Sequence, residues 1–293
     1  MWHLIHVLGL AILTSPATRE SAMRAPAPLN IGVGKSLGAD VPPARLLAGI
    51  KLFESLVEDL TGVDGRVIPC GNPFDLARQL DEKRVKLALF EGFEFAWVAA
   101  KYPQLKPLVL AVCYNPHLQA HVVVHKSFKG KDLQALQGKQ LAIPKGTKGH
   151  CRLFLDRHCS PAPRGPKKFF SQITRPAEAE TALDQVCDGV VAAALVDKVS
   201  VDCYASYKPG PFKRLRVLMK SEVFPACVIA YREGALSPDT LERLRQGLLN
   251  AKDNLRAREF LILFKITAFE PVSEDYGKTL SSIMKAYPAP SQH

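Results

Sequence analysis

No stretch of this sequence is long and apolar enough to span a bilayer as a helix. The apolar run near the amino terminus, Leu4 to Leu13, falls well short of the roughly 20 residues a span needs. There is no CxxC pair. The seven cysteines (Cys70, Cys113, Cys151, Cys159, Cys187, Cys203 and Cys227) fall at irregular spacings, so neither a zinc site nor a redox motif is indicated. Most have apolar neighbours and read as buried small hydrophobes. Cys151 and Cys159 are close enough to pair, but spacing alone does not decide that. A Gly-x-Ser-x-Gly nucleophile elbow is missing, as is any repeat of short period or low-complexity tract. Neither a dense basic arm nor an aromatic-interleaved basic motif occurs, which argues against nucleic acid as a partner.

Two nucleotide-loop imitations fail on spacing. IGVGKS (31–36) ends in Gly34-Lys35-Ser36 like a Walker A loop, but Leu29 stands where that motif needs its first glycine. As a dinucleotide fingerprint it has Gly32 and Gly34, with Leu37 in place of the third glycine. What remains is a turn carrying Lys35 and Ser36 after a first strand.

What is present is an ordinary globular composition, 47% hydrophobic and 23% charged. The 293 residues suffice for two lobes of roughly 100–150 residues each. Lys and Arg number 39 against 28 Asp and Glu, a formal net charge of +11. That sign points to anionic partners. The cations are spread along the chain, with mild clusters at Arg164–Lys168 and Lys208–Lys220. The amino terminus, MWHLIHVLGLAILTSPATRESA, resembles a secretory signal peptide over residues 1–17, with Ser15-Pro16-Ala17 at a cleavage-like spacing. Its first segment carries His3 and His6 but no Lys or Arg. Residues 18–28, TRESAMRAPAP, read as a linker.

Periodicity and punctuation then predict an alternation. LNIGVG (29–34) is a strand, and residues 44–60 are a helix, with Pro42 and Pro43 at its start and Gly62 past its end. Arg66–Cys70 is a strand. Asn72-Pro73 caps and opens a short helix. Leu87–Phe90 is a strand, 94–101 a helix and Leu108–Cys113 a strand. After residue 118 come strands at Ala120–His125 and Gln140–Ile143, and a helix over 148–158. A proline-rich loop spans 157–168. A strand at Phe169–Ile173, a helix over 177–187, and strands at Val190–Val196 and Ala226–Tyr231 follow. Ser237 caps a helix through Asp253, and a last helix runs from Ser273 through Met284. Such alternation predicts an α/β protein with mostly parallel sheets flanked by helices. Ligands of such sheets sit beyond the strands' carboxyl ends.

Three turns carry candidate chemistry. KGTKGH (145–150) joins a strand to a helix. Helix-start amides attract an anion, Thr147 adds a hydroxyl, Gly146 and Gly149 allow close approach, and Lys145 and Lys148 add charge. A solvated cationic turn is the alternative. FEGFEF (90–95) places Glu91 and Glu94 at a helix start, where their charge suits the helix dipole; a general acid/base pair is the sharper alternative. Phe93 and Phe95 read as pocket wall and core. His117, His121 and His125 follow strand-compatible spacing, but no further metal ligand is evident, so packed or solvent-facing histidines are expected. His150 and Cys151 are adjacent, which does not by itself make a dyad.

The order of these pieces resembles the periplasmic substrate-binding proteins of ABC importers for phosphate, phosphite and phosphonate, within the type II periplasmic-binding-protein fold. The stretches that carry the resemblance are FESLVEDLTG (53–62), VKLALFEGFEFAWVAAKYPQLKPL (85–108), LQGKQLAIPKGTKGH (136–150), DGVVAAALVD (188–197), FPACVIAYREGALSP (224–238) and FEPVSEDY (269–276). The loop at 145–149 differs from the family's hydroxyl-rich one in setting two lysines around a single threonine.

The resemblance implies two lobes, 29–115 with 226–293 and 116–225, and a cleft between them. It implies a small anionic ligand held by Lys35 and Ser36, by Glu91, Gly92 and Phe93, by Thr147, Lys148 and Gly149, and by Asp197. It implies no cofactor, no metal and no catalysis. It further implies export to the periplasm or another extracytoplasmic space, a monomer, and a membrane permease as partner. Two other roles are compatible with the fold. One is an enzyme acting on a carboxylate substrate, as in the menaquinone pathway, with Glu91, His150 and Cys151 as its suspects. The other is a ligand-sensing module.

Overall fold

The alternation is realised as two separate sheets. The computed structural model describes residues 27–38, 41–114, 117–159 and 165–290; the expected signal peptide and most of the linker lie outside them. The described strands are β1 (Leu29–Gly34), β2 (Gly65–Cys70), β3 (Leu87–Phe90), β4 (Leu105–Val112), β5 (His117–Leu118), β6 (Ala120–His125), β7 (Gln140–Ala142), β8 (Gln172–Thr174), β9 (Ala193–Asp197), β10 (Leu215–Lys220), β11 (Phe224–Pro225), β12 (Cys227–Arg232) and β13 (Ala268–Glu270). The α-helices are α1 (Lys35–Gly38), α2 (Pro43–Thr61), α3 (Pro73–Asp81), α4 (Gly92–Ala99), α5 (Gly149–His158), α6 (Gly165–Phe169), α7 (Ala179–Cys187), α8 (Lys198–Tyr207), α9 (Pro209–Phe212), α10 (Pro238–Leu249), α11 (Leu255–Phe264) and α12 (Tyr276–Ala286). None of these helices is long and apolar enough to cross a membrane.

The first sheet has six strands in the order β13-β4-β12-β3-β1-β2, the second five in the order β10-β6-β9-β7-β8. In the first, β12 runs antiparallel to both β3 and β4, and β13 antiparallel to β4. In the second, β6 runs antiparallel to both neighbours. Most strands of each sheet therefore share one direction, and a reversed strand is threaded between them. The chain passes between the sheets through β5 and returns through β11. These two segments pair side by side, His117 with Pro225 and Leu118 with Phe224. Ser221 ties the crossing further: its Oγ accepts from Ala120 N at 2.9 Å, and its carbonyl accepts from Gln119 Nε2 at 3.0 Å.

Local chemistry explains several boundaries. The Asn72 side chain accepts from the amides of Phe74 and Asp75, and Pro73 takes the first helical position of α3. Leu76, Ala77 and Leu80 then fall on one buried face. On α2, Phe53, Leu56 and Val57 are buried against the first sheet beside Ile31, Leu87 and Ile229; each such side chain contributes about 1.5–3 kcal/mol of hydrophobic stabilisation. A second cluster joins the sheets. Phe93 and Trp97 of α4 pack with Phe224, with Leu141 and Phe154 of the second sheet's layer, and with Ile283 and Tyr287 at the carboxyl end.

The structure moves some expected boundaries. Helix α4 begins at Gly92 rather than 94, because Glu91 and Glu94 form a capping box around the turn. Strand β4 starts at Leu105, since a register shift between Ile229 and Ala230 accommodates Pro107. Phe169 closes α6 instead of opening a strand, and the next strand is delayed to Gln172. The helix from Ser237 ends at Leu249, followed by a short 3-10 turn over Ala251–Asp253. The last helix starts at Tyr276. Strand β9 starts at Ala193, after turn residues Gly189 and Val190. Helices α8 and α11 and strands β10 and β13 had no counterpart in the sequence pattern. All seven cysteines are free thiols, Cys151 and Cys159 among them.

Candidate functional site

Several strand ends converge on one cavity of about 410 Å³. The carboxyl end of β1 delivers Ser36, that of β3 delivers Glu91, and that of β4 delivers Cys113. The reversed β12 starts there with Cys227. From the second sheet, the turn after β7 delivers Thr147, Lys148 and Gly149, and α5 delivers Arg152. These polar groups face the cavity together. Apart from Lys265, the rest of the lining is almost wholly apolar and comes from α2, α11 and the first sheet, with Leu46, Ile50, Phe53, Phe260, Phe264 and Phe269 in its wall.

On the first-sheet side, Glu94 Oε2 accepts from the Glu91 amide at 3.4 Å and from Ser36 Oγ at 2.9 Å. Burial pushes the Glu94 carboxyl up to about 7, with the Glu91 charge adding to the rise and the Ser36 bond opposing it. Glu91 is likewise raised by burial, against the opposing effects of its bond from Cys227 and the Lys148 charge. Cys227 Sγ donates to Glu91 Oε2 at 3.2 Å. Its thiol is pushed well above the ordinary range, by burial and then by Glu91, so it stays neutral. Gly92 is indispensable here: a Cβ would lie 2.3 Å from the Pro225 carbonyl oxygen and 2.4 Å from that of Ala226.

The second-sheet side is basic. Lys148 precedes the first turn of α5 with no side chain capping the helix; Cys151 N donates to the Lys148 carbonyl at 3.1 Å, and the Gly149 and His150 amides ahead of it have no intrahelical partner. Gly146 turns the chain with φ 71°, a left-handed conformation natural to glycine. Lys148 Nζ lies 3.5 Å from Asp197 Oδ2. Burial disfavours the Lys148 ammonium, but the acidic groups around it, the Asp197 and Glu91 carboxyls among them, more than offset that and raise its pKa. Burial likewise works against the Asp197 carboxylate, yet Lys148 and the Ser200 amide, which donates at 2.8 Å, hold it below the usual range. Asp197 thereby also caps α8.

Of the residues expected at the site, Ser36, Glu91, Thr147, Lys148 and Gly149 line the one cavity. Asp197 joins it through Lys148. Gly92 and Phe93 stand directly behind: a Cβ on Gly149 would meet the Phe93 ring at 3.2 Å and Glu91 Oε1 at 3.5 Å, so the two helix starts abut. Lys35 is exposed; its amide donates to the Gly71 carbonyl at 3.3 Å, and its side chain is no part of the cavity wall. The Thr147 hydroxyl donates to the Pro144 carbonyl at 2.6 Å, which commits its proton to the turn rather than to the cavity.

Cys113, Cys227 and the apolar wall escaped sequence reading. Their place depends on which distant strands pair, as when β12 sets Val228 against Phe90. No group of three or more metal-ligating side chains occurs among the described residues. His121 is buried, with burial lowering its pKa, and His125 contacts Ser127 Oγ at 2.7 Å. His150 and Cys151 do meet, Nε2 to Sγ at 3.3 Å, but both are fully buried. Burial brings the His150 imidazole down to about 4 and raises the Cys151 thiol well above its ordinary range. That leaves an uncharged pair, whereas a nucleophilic cysteine needs its thiolate.

A family model described as ABC transporter, phosphonate, periplasmic substrate-binding protein matches residues 39–276. No curated protein matches the sequence. Among solved structures, XAC2383 from Xanthomonas citri, bound to chloride ion, is similar at TM-score 0.60 and 18% identity, over 88% of this chain and 96% of that one. PhnD1 from Prochlorococcus marinus, in complex with methylphosphonate, is similar at TM-score 0.57 and 14% identity, over 88% and 97%. A binding protein component of an ABC phosphonate transporter from Pseudomonas aeruginosa is similar at TM-score 0.51 and 16% identity, over 87% and 84%. These likenesses place the chain in the two-lobed periplasmic-binding-protein fold.

Proposed function

We propose an anion-capturing role on one premise: the chain belongs to the family of periplasmic substrate-binding proteins of ABC phosphonate transporters. The solute enters between two lobes, 29–115 with 226–293 and 116–225. Lobe closure swings about the paired crossings near 114–119 and 222–226 and shuts the two lobes over the bound solute. The amides of Lys148 and Gly149 and the Lys148 ammonium hold the acidic head, and Thr147 shapes the turn through its bonds to the Pro144 carbonyl. Glu91, Gly92 and Phe93 form the opposite jaw, and Asp197 positions Lys148. The observation that carries this is the uncapped, lysine-bearing start of α5 in the cavity wall. No bond of the solute is broken, consistent with the uncharged His150–Cys151 pair lying outside the cavity wall. The partner is then a membrane permease on the extracytoplasmic side.

Isothermal calorimetry against methylphosphonate, phosphite and phosphate tests the reading. At least one should bind, and Lys148→Met should weaken it. Binding of none of the three, or equal binding by Lys148→Met, overturns it.

A further inference from the structure

The cavity is much larger than a compact oxyanion requires. At about 410 Å³ it falls within the range of pockets that take drug-sized ligands, roughly 300–1,000 Å³. Methylphosphonate has only a handful of heavy atoms. Most of the remaining wall is not polar. Besides Lys148, Glu91, Arg152 and the neutral thiols of Cys113 and Cys227, it is hydrocarbon and aromatic apart from Lys265, which follows Phe264 at the end of α11. Phe260 anchors this floor, its ring tilted against those of Phe53 and Phe264 with centroids 5.1 and 4.9 Å away. Gly49 lets the Phe264 ring of α11 pack directly on α2: a Cβ there would lie 2.2 Å from it. A phosphate or a methylphosphonate would leave most of this surface without a contact, whereas an apolar substituent would cover it.

We infer that the solute is an amphiphile: an acidic head of the phosphonate type at Lys148 and the α5 start, joined to an apolar chain or ring system laid between α2 and α11. This inference rests on the solute-binding reading above and narrows its ligand class. Head and tail answer to different walls. Lys148 fixes the charge, and the partly exposed Leu46, Ile50 and Phe264 take the hydrocarbon, with affinity growing as the buried apolar area grows.

The test is calorimetry on the full chain with methyl-, butyl- and octylphosphonate, and with octanol as a tail without a head. Affinity should tighten about fourfold for each added methylene until the floor is filled. Octanol should bind far more weakly than octylphosphonate. Ile50→Trp, which fills the floor, should bring octylphosphonate to within about threefold of methylphosphonate, the chain-length gain having been lost. Flat affinity from methyl to octyl overturns the inference and leaves the anion-capturing reading standing. Octanol binding as tightly as octylphosphonate also overturns it, by removing the head. Failure of every phosphonate to bind overturns the inference, and the anion-capturing reading falls with it if phosphite and phosphate fail to bind as well.

Discussion

The starts of α4 and α5 face each other, yet they are opposite in chemistry. Helix α4 opens with its own carboxylates folded back on it, Glu91 and Glu94 in a capping box, and a glycine pressed against two carbonyl oxygens. Helix α5 opens with a lysine and no side-chain cap. One jaw has already satisfied its helix end internally, so it supplies shape and rigidity. The other still has donors to offer, and on the proposed function it supplies the attraction. A helix terminus is an anion site only where the chain has left it unoccupied.

The sharpest way to break that contrast is at Gly92. Gly92→Ala drives a methyl into the carbonyls of Pro225 and Ala226. It should cost about 3 kcal/mol of stability, read as a lower denaturant midpoint. A loss below about 0.5 kcal/mol would mean that the acidic jaw is not rigid there.

Next comes Glu94. Folded Glu94 titrates at about 7, against 4.5 for an unperturbed glutamate. Between those values the fold retains a proton that the unfolded chain has released, so Glu94 lowers stability as pH rises through about 7. The full cost is on the order of 3 kcal/mol. Glu94→Gln should therefore gain on the wild type from pH 4.5 to 7.5, then level off. Urea unfolding at several pH values measures the difference, and a constant difference would refute the buried-carboxyl account.

On the basic jaw, Lys148→Met should reduce phosphonate affinity about 100-fold. Added salt should weaken the wild type more than the variant, since only the wild type carries the charge. Thr147→Val should have the smallest effect. It loses the bond to Pro144 and about 1 kcal/mol of stability, with phosphonate affinity changed by less than about threefold. A tenfold fall in affinity would show that the hydroxyl turns toward the ligand.

The two jaws were also unequally legible in the sequence. The turn at 145–149 was legible as a candidate, because glycines, lysines and a threonine stand between a strand and a helix, although a solvated cationic turn would read the same way. Glu91 and Glu94 were visible but ambiguous; only their burial and their bonds to Ser36 and Cys227 reveal a self-capped start. The elements with local signals were readable, such as the Asn72-Pro73 opening of α3. Helix α8 was not: its VSV run has β-branched residues unsuited to a helix, and Asp197 imposes the helix by capping it. Helix α11 was missed for another reason. Its LILF ending is apolar almost all round, with Ile262 exposed and Leu261 buried, so no stripe emerges. Because α11 forms half of the apolar floor, missing it concealed the cavity's length.

Trp97 donates its indole N–H to the Tyr287 carbonyl at 2.8 Å and sits edge-on to Phe93 with ring centroids 5.1 Å apart. The sequence holds one other tryptophan, Trp2, far upstream. Trp97 therefore lies at the seam where the first sheet's helix meets the second sheet's core, and its emission is a built-in optical reporter. Separating the lobes would expose the ring to water and shift its fluorescence to longer wavelength, so the conformational cycle can be followed without adding a dye.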